Sequence, residues 1–148
     1  MAQRLLLIAL AGMLAASSFA VAQNVDIVKA RQASLKAMGD AAKPMGAVLK
    51  GEAPFDLAKA QAALDTFIAE AGKLPDMFPD DSKTGGDTAT LPAAWEKKDD
   101  FTARFTKLVA EAKAAKGTIT DEFSFQEAFP KVVGNCGACH KIYRAEKK

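Results

Sequence analysis

Near its C-terminus the chain reads Cys136-Gly137-Ala138-Cys139-His140, a run that takes up both cysteines and the single histidine of the 148 residues. Two thiols separated by two residues, with a histidine directly after, are the signature of covalent haem attachment. The spacing has a physical basis. On a helix, residues three apart share a face, so both sulfurs reach the two vinyl groups of one porphyrin. The imidazole of His140, one position further, approaches the iron from the same side. A disulfide is the competing reading, but it would close a very small loop and leave His140 without a part. The run therefore predicts one covalent haem c, held by Cys136 and Cys139, with His140 as the axial iron ligand. It stands at the end of the chain, so nearly everything that surrounds the haem precedes it in sequence.

At the other end, residues 1–22 have the pattern of a cleaved secretory signal peptide. Arg4 supplies a positive start, Leu5 to Ala16 is an almost unbroken apolar run, and Ala20-Val21-Ala22 offers a small-x-small cleavage site. The run is short for a spanning helix and no basic stop-transfer cluster follows, which disfavours a membrane anchor. Export to a bacterial periplasm suits the haem motif, because thiols must be attached where c-type assembly operates. The remainder, 23–148, is about 126 residues, enough for one compact domain. It keeps 19 basic residues against 18 acidic ones, a net charge of +1. That balance, without a long run of one sign, gives no reason to expect a nucleic-acid partner, and no membrane partner is expected after cleavage.

Between the two ends the hydrophobic spacing is helical throughout. From Asn24 to about Lys50, the residues Val28, Arg31, Leu35, Met38, Ala42, Met45 and Leu49 recur three and four apart, a stripe that faces a bundle interior. Asn24 or Asp26 is placed to cap its start, and Pro44 should kink or interrupt it near Lys43. Arg31 is the odd member: it either finds an anion such as a haem propionate or snorkels to the surface. A second helix follows Asp56, with Leu57, Ala60, Leu64, Phe67, Ile68, Ala71 and Leu74 as its apolar face and Pro75 at its end. Residues 75–92 form a long connection too polar for core, pinned by Met77 and Phe78. A third helix opens near Pro92 and runs through Trp95, Phe101, Phe105, Leu108, Val109 and Ala112 to a stop at Gly117. The fourth starts near Asp121 and carries Phe125, Phe129, Val132, Cys136, Cys139 and Tyr143 on one face, with a bend or restart expected at Pro130. Four helices with short first and third connections predict an all-α, antiparallel four-helix bundle with covalently attached haem c on the C-terminal helix.

The opposite side of the iron is open to several readings. With a single histidine, bis-histidine ligation is impossible. Once the leader is removed, Met38, Met45 and Met77 are the only thioether candidates, and Met38 and Met45 fall on the inward stripe. A methionine ligand would close the iron, the arrangement of a dedicated electron carrier. A methionine at helical spacing is more often packing.

The chain also resembles the cytochromes c-prime, class II c-type cytochromes. The likeness runs through Val28-Lys29-Ala30-Arg31-Gln32-Ala33-Ser34-Leu35, Gly51-Glu52-Ala53-Pro54-Phe55-Asp56, Leu74-Pro75, Gly85-Gly86, Pro92-x-x-Trp95 and Cys136-x-x-Cys139-His140-x-x-Tyr143-Arg144, in order. The resemblance implies a left-handed antiparallel bundle, often a homodimer through its first two helices. It implies that Leu35 points at the distal iron site, where low-spin relatives place a ligating methionine. Leucine cannot ligate, so the expectation is five-coordinate, high-spin iron. Arg31 and Gln32 match positions near the propionates, and Arg144 matches an arginine on the proximal side. The expected function is a periplasmic haem protein that binds nitric oxide, binds carbon monoxide weakly and has electron-transfer capacity; its redox partner is not legible. The alternative is a low-spin His/Met electron carrier of the same fold. A peroxidase-like enzyme would want a distal acid–base pair, typically with histidine, and the one histidine is already committed.

Overall fold

The computed structural model describes residues 21–146. The signal peptide expected at 1–22 lies almost wholly outside them. The first long helix, α1 (Val21–Leu49), is followed by α2 (Leu57–Lys73) and by two short 3-10 turns at Leu74–Met77 and Asp80–Ser82. A one-turn helix, α3 (Ala93–Glu96), then leads into α4 (Lys98–Thr118) and α5 (Glu122–Tyr143). The four long helices form the expected antiparallel bundle. Among the described residues the only β-type pairing is an isolated antiparallel bridge between Thr90 and Arg144.

Each helix end has a local cause. α1 stops because Gly51 turns left-handed at φ 71, while Gly51 N–H and Glu52 N–H bond back to the carbonyls of Val48 and Ala47. α2 starts where the Asp56 carboxylate accepts from the Lys59 amide at 3.1 Å. α5 opens on a reciprocal cap: Asp121 accepts from the Ser124 amide at 2.8 Å, and the Ser124 hydroxyl accepts from the Asp121 amide at 3.1 Å.

Several local expectations need correction. α1 begins at Val21, before Asn24 and Asp26, and it continues through Pro44 to Leu49 without interruption. α5 likewise continues through Pro130. The third helix is split: Lys97 leaves helical geometry at φ −119, ψ 48 and separates α3 from α4. Gly117 does not stop α4, which ends at Thr118 with Ile119 extended at ψ 110. Leu57 is 39% exposed rather than part of the inner face of α2. The connection after α2 is less peripheral than its polarity suggests, since Ser82 is fully buried and Phe78 nearly so.

The core is aromatic and lies in two patches. Phe67, Phe125 and Phe129 meet at centroid distances of 5.9 and 4.9 Å, and Phe55 joins Phe125 at 5.3 Å. The second patch links Phe78 to Phe101 at 4.7 Å and Phe101 to Tyr143 at 5.0 Å, both edge-on. α2 packs along both α1 and α4, and α4 along α5, whereas α1 and α5 do not pack along their lengths. The space left between them is a cavity, and it sets the position of the site.

Candidate haem site

The cavity has a volume of about 630 Å³. One wall is α1, with Arg31, Gln32, Leu35, Met38, Gly39 and Ala42. The other is formed by α5, with Cys136, Cys139, His140 and Tyr143, and by α4, with Phe101, Arg104, Phe105 and Leu108. Residues 87–90 and Arg144 close one end. All seven residues singled out from the sequence therefore line one space, although Leu35 and His140 are about a hundred positions apart.

The α5 wall carries the chemistry. Cys136 and Cys139 are free thiols, half-buried, on consecutive turns of one helix. Burial pushes both thiols above their ordinary pKa. His140 is pushed the other way, first by burial and then by the charge of Arg144, which favours the neutral imidazole that a metal requires. Tyr143, one turn on, is 3% exposed and donates its hydroxyl to Asp100 at 2.5 Å. Arg104 donates Nε to the same carboxylate at 2.7 Å. Arg104 lines the cavity and Asp100 stands behind it as the carboxylate that holds it; the sequence reading missed both, since neither belongs to a motif.

The α1 wall has a different character. Leu35 is half-buried and Met38 is buried, and both face the cavity. Arg31 is 1% exposed, so it does not snorkel. Its Nη1 donates to the Ser82 hydroxyl at 2.8 Å and to the Met77 carbonyl at 3.3 Å. Its Nη2 donates to the Thr88 hydroxyl at 2.8 Å and to the Ser82 carbonyl at 3.2 Å. The guanidinium also lies 4.6 Å from the Phe78 ring centroid. All of these partners are neutral, and Arg31 takes part in none of the ion pairs among the described residues. Burial accordingly lowers its pKa. Gln32 is exposed and donates to the Asp87 carbonyl at 2.8 Å.

The segment from Asp87 to Leu91 ties the two walls together. It is bonded to Arg31 and Gln32 on one side. On the other, Leu91 N–H donates to the Tyr143 carbonyl at 2.9 Å and Ala145 N–H to the Ala89 carbonyl at 2.8 Å. Gly86 makes the approach possible: its φ is +60, and a Cβ there would stand 3.3 Å from Val28 Cγ1.

These features fit a haem. The cavity presents a chiefly apolar surface with charged and polar side chains among its lining, is of cofactor size, and offers two free thiols and an imidazole on one helix. A buried cation with only neutral partners on the opposite wall suits a cofactor that carries carboxylates. Residues 26–144 match the model of a protein family, Cytochrome C′. The chain belongs to that family. It is accordingly a c-type haem protein. The chain is similar to the cytochrome c′ of Rhodopseudomonas palustris, with 53% identity over 131 residues that cover 88% of this chain and 89% of the relative. It is 38% identical to a cytochrome c-556 of Agrobacterium fabrum, covering 81% and 82%. The solved structure of the R. palustris cytochrome c′ superposes with a TM-score of 0.81 at 51% identity, covering 83% of this chain and 98% of that one.

Proposed function

We propose that this cytochrome c′-family chain is an exported, periplasmic protein with one covalent haem c, whose iron is five-coordinate, high-spin and open to nitric oxide. Cys136 and Cys139 would hold the porphyrin through thioether bonds, and His140 would supply the axial nitrogen. Haem c, when bound, supplies an iron centre that takes up one electron and binds small diatomic gases. Arg31 and Gln32 would serve the propionate side and Arg144 the proximal side. The reading includes a homodimer and electron exchange with a partner protein, and no enzymatic turnover. Among the described residues no helix is long and apolar enough to cross a membrane.

The observation that carries the proposal is Leu35 on the cavity wall opposite the attachment helix. Its side chain has no ligating atom. It is apolar and offers no hydrogen bond to a polar diatomic such as dioxygen. Nitric oxide binds haem iron strongly enough to tolerate such a wall, and carbon monoxide binds it weakly.

A second reading rests on Met38, which is buried and faces the same cavity one turn away. Met38 as sixth ligand would give a low-spin electron carrier. Absorption spectra of the haem-loaded protein separate the two. A high-spin spectrum that changes on adding nitric oxide, is unaffected by Met38→Leu and turns low-spin in Leu35→Met supports the first reading. A low-spin spectrum with a methionine–iron charge-transfer band that disappears in Met38→Leu would establish the second.

A further inference from the structure

Asp100 stands in the first turn of α4, beside the cavity, and gathers three donors. Arg104 reaches it with Nε at 2.7 Å and Nη2 at 3.3 Å, and Tyr143 Oη lies at 2.5 Å. The Arg104 guanidinium lies 5.5 Å from the Tyr143 ring centroid. Tyr143 is packed edge-on against Phe101 and is nearly fully buried, so the phenol fixes the carboxylate from the interior side. Lys36–Asp40 also lines the cavity, but from α1, as an exposed i,i+4 pair with no buried partner, and Lys107–Glu111 is joined by the side chain of Asn135. The Asp100 group differs because a buried phenol, Tyr143, anchors it and because Arg104 and Tyr143 line the cavity on the same side as Cys139 and His140.

We propose that Asp100 is a positioning residue of the haem site: by holding Arg104 and Tyr143 it fixes one negative and one positive charge beside the attachment helix, and this balance sets the reduction potential of the iron. The proposal rests on haem occupying the cavity. A negative charge near the iron favours the oxidised state, which carries one more positive charge, and a positive charge favours the reduced state. Asp100 and Arg104 therefore act in opposite senses, and neutralising either uncovers the other. The side chains of Arg104 and Asp100 remain 27% and 51% exposed, so salt should damp their influence.

The test is a redox titration of the haem-loaded protein and of Asp100→Asn, Arg104→Gln and the double variant, with thermal melts to verify folding. Asp100→Asn keeps an acceptor for Tyr143 and should shift the potential upward. Arg104→Gln should shift it downward, and the double variant should return close to the starting value. Both single shifts should shrink at high salt. Arg104→Lys retains the charge and should leave the potential near the starting value even where the glutamine variant loads haem poorly. Shifts of the same sign in the two single variants, no shift in either, or an Arg104→Lys shift as large as that of Arg104→Gln would overturn the proposal. The absorption spectra of the same samples report coordination separately, so the failure of the open-iron reading and the failure of this one are distinguishable.

Discussion

The two walls of the cavity are built on opposite terms. The α5 side presents two thiols, an imidazole and a phenol and, through α4, the guanidinium of Arg104, which the Asp100 carboxylate holds from behind. The α1 side presents Leu35, Met38 and Ala42 above one buried cation that is satisfied by neutral oxygens. One wall carries the groups that would attach the cofactor, and the other offers the iron a single candidate donor, the Met38 thioether. The contrast teaches that, on the proposed reading, an open coordination site would depend as much on Leu35, which has no ligating atom, as on the helix that attaches the cofactor. It also separates the roles of the arginines: Arg104 is balanced by a carboxylate in its own fold, whereas Arg31 has no such counter-charge.

The contrast can be broken most completely on the α5 side. Replacing Cys136 and Cys139 together by alanine should abolish haem retention after denaturation, measured by mass spectrometry of the polypeptide. A haem-sized increment that survives in the double variant would rule out the thioether assignment. On the α1 side, Arg31→Ala should lower unfolding stability by about 3 kcal/mol, because it removes charge-assisted hydrogen bonds and strips Ser82 and Thr88 of a buried partner. Denaturant titration reads this, and a loss below about 1 kcal/mol would mean that Arg31 does not latch the 77–88 segment to α1. The smallest effect belongs to the far end of α5. Asp121→Ala should cost about 1 kcal/mol through the lost cap while leaving the haem absorption spectrum unchanged. A changed spectrum would show that the two ends of α5 are coupled.

What was legible in the sequence was what local spacing controls. The Cys136–His140 run needs only helical geometry to place its three side chains, and Leu35, Met38 and Met45 follow from the period of α1. The bundle followed from four apolar stripes and their stops. What stayed hidden depends on which surfaces meet. Ser82 looks like a loop residue until Arg31, 51 positions earlier, is seen to use both its hydroxyl and its carbonyl. The Asp100–Tyr143 contact spans 43 positions, and in sequence Asp100 is one more acid at the start of a helix. The break at Lys97 was missed because Pro92 and Trp95 belong to a plausible continuous helix; only the backbone at Lys97 divides it. The prolines misled in the other direction. Pro44 and Pro130 both lie inside helices that continue past them, each flanked by buried residues, Met38 and Met45 in one case and Phe129 and Val132 in the other.

Pro130 has one more consequence. Proline has no amide hydrogen, so the carbonyl one turn earlier, that of Gln126, lacks its usual helical donor. α5 is therefore one rung short at a single point, between the turns that carry Phe125 and Phe129 and those that carry the thiols and the imidazole. Local opening of the cofactor-bearing half from Pro130 onward would break one backbone hydrogen bond fewer than opening from elsewhere in the helix, so what holds that half down is the burial of Val132 and Tyr143.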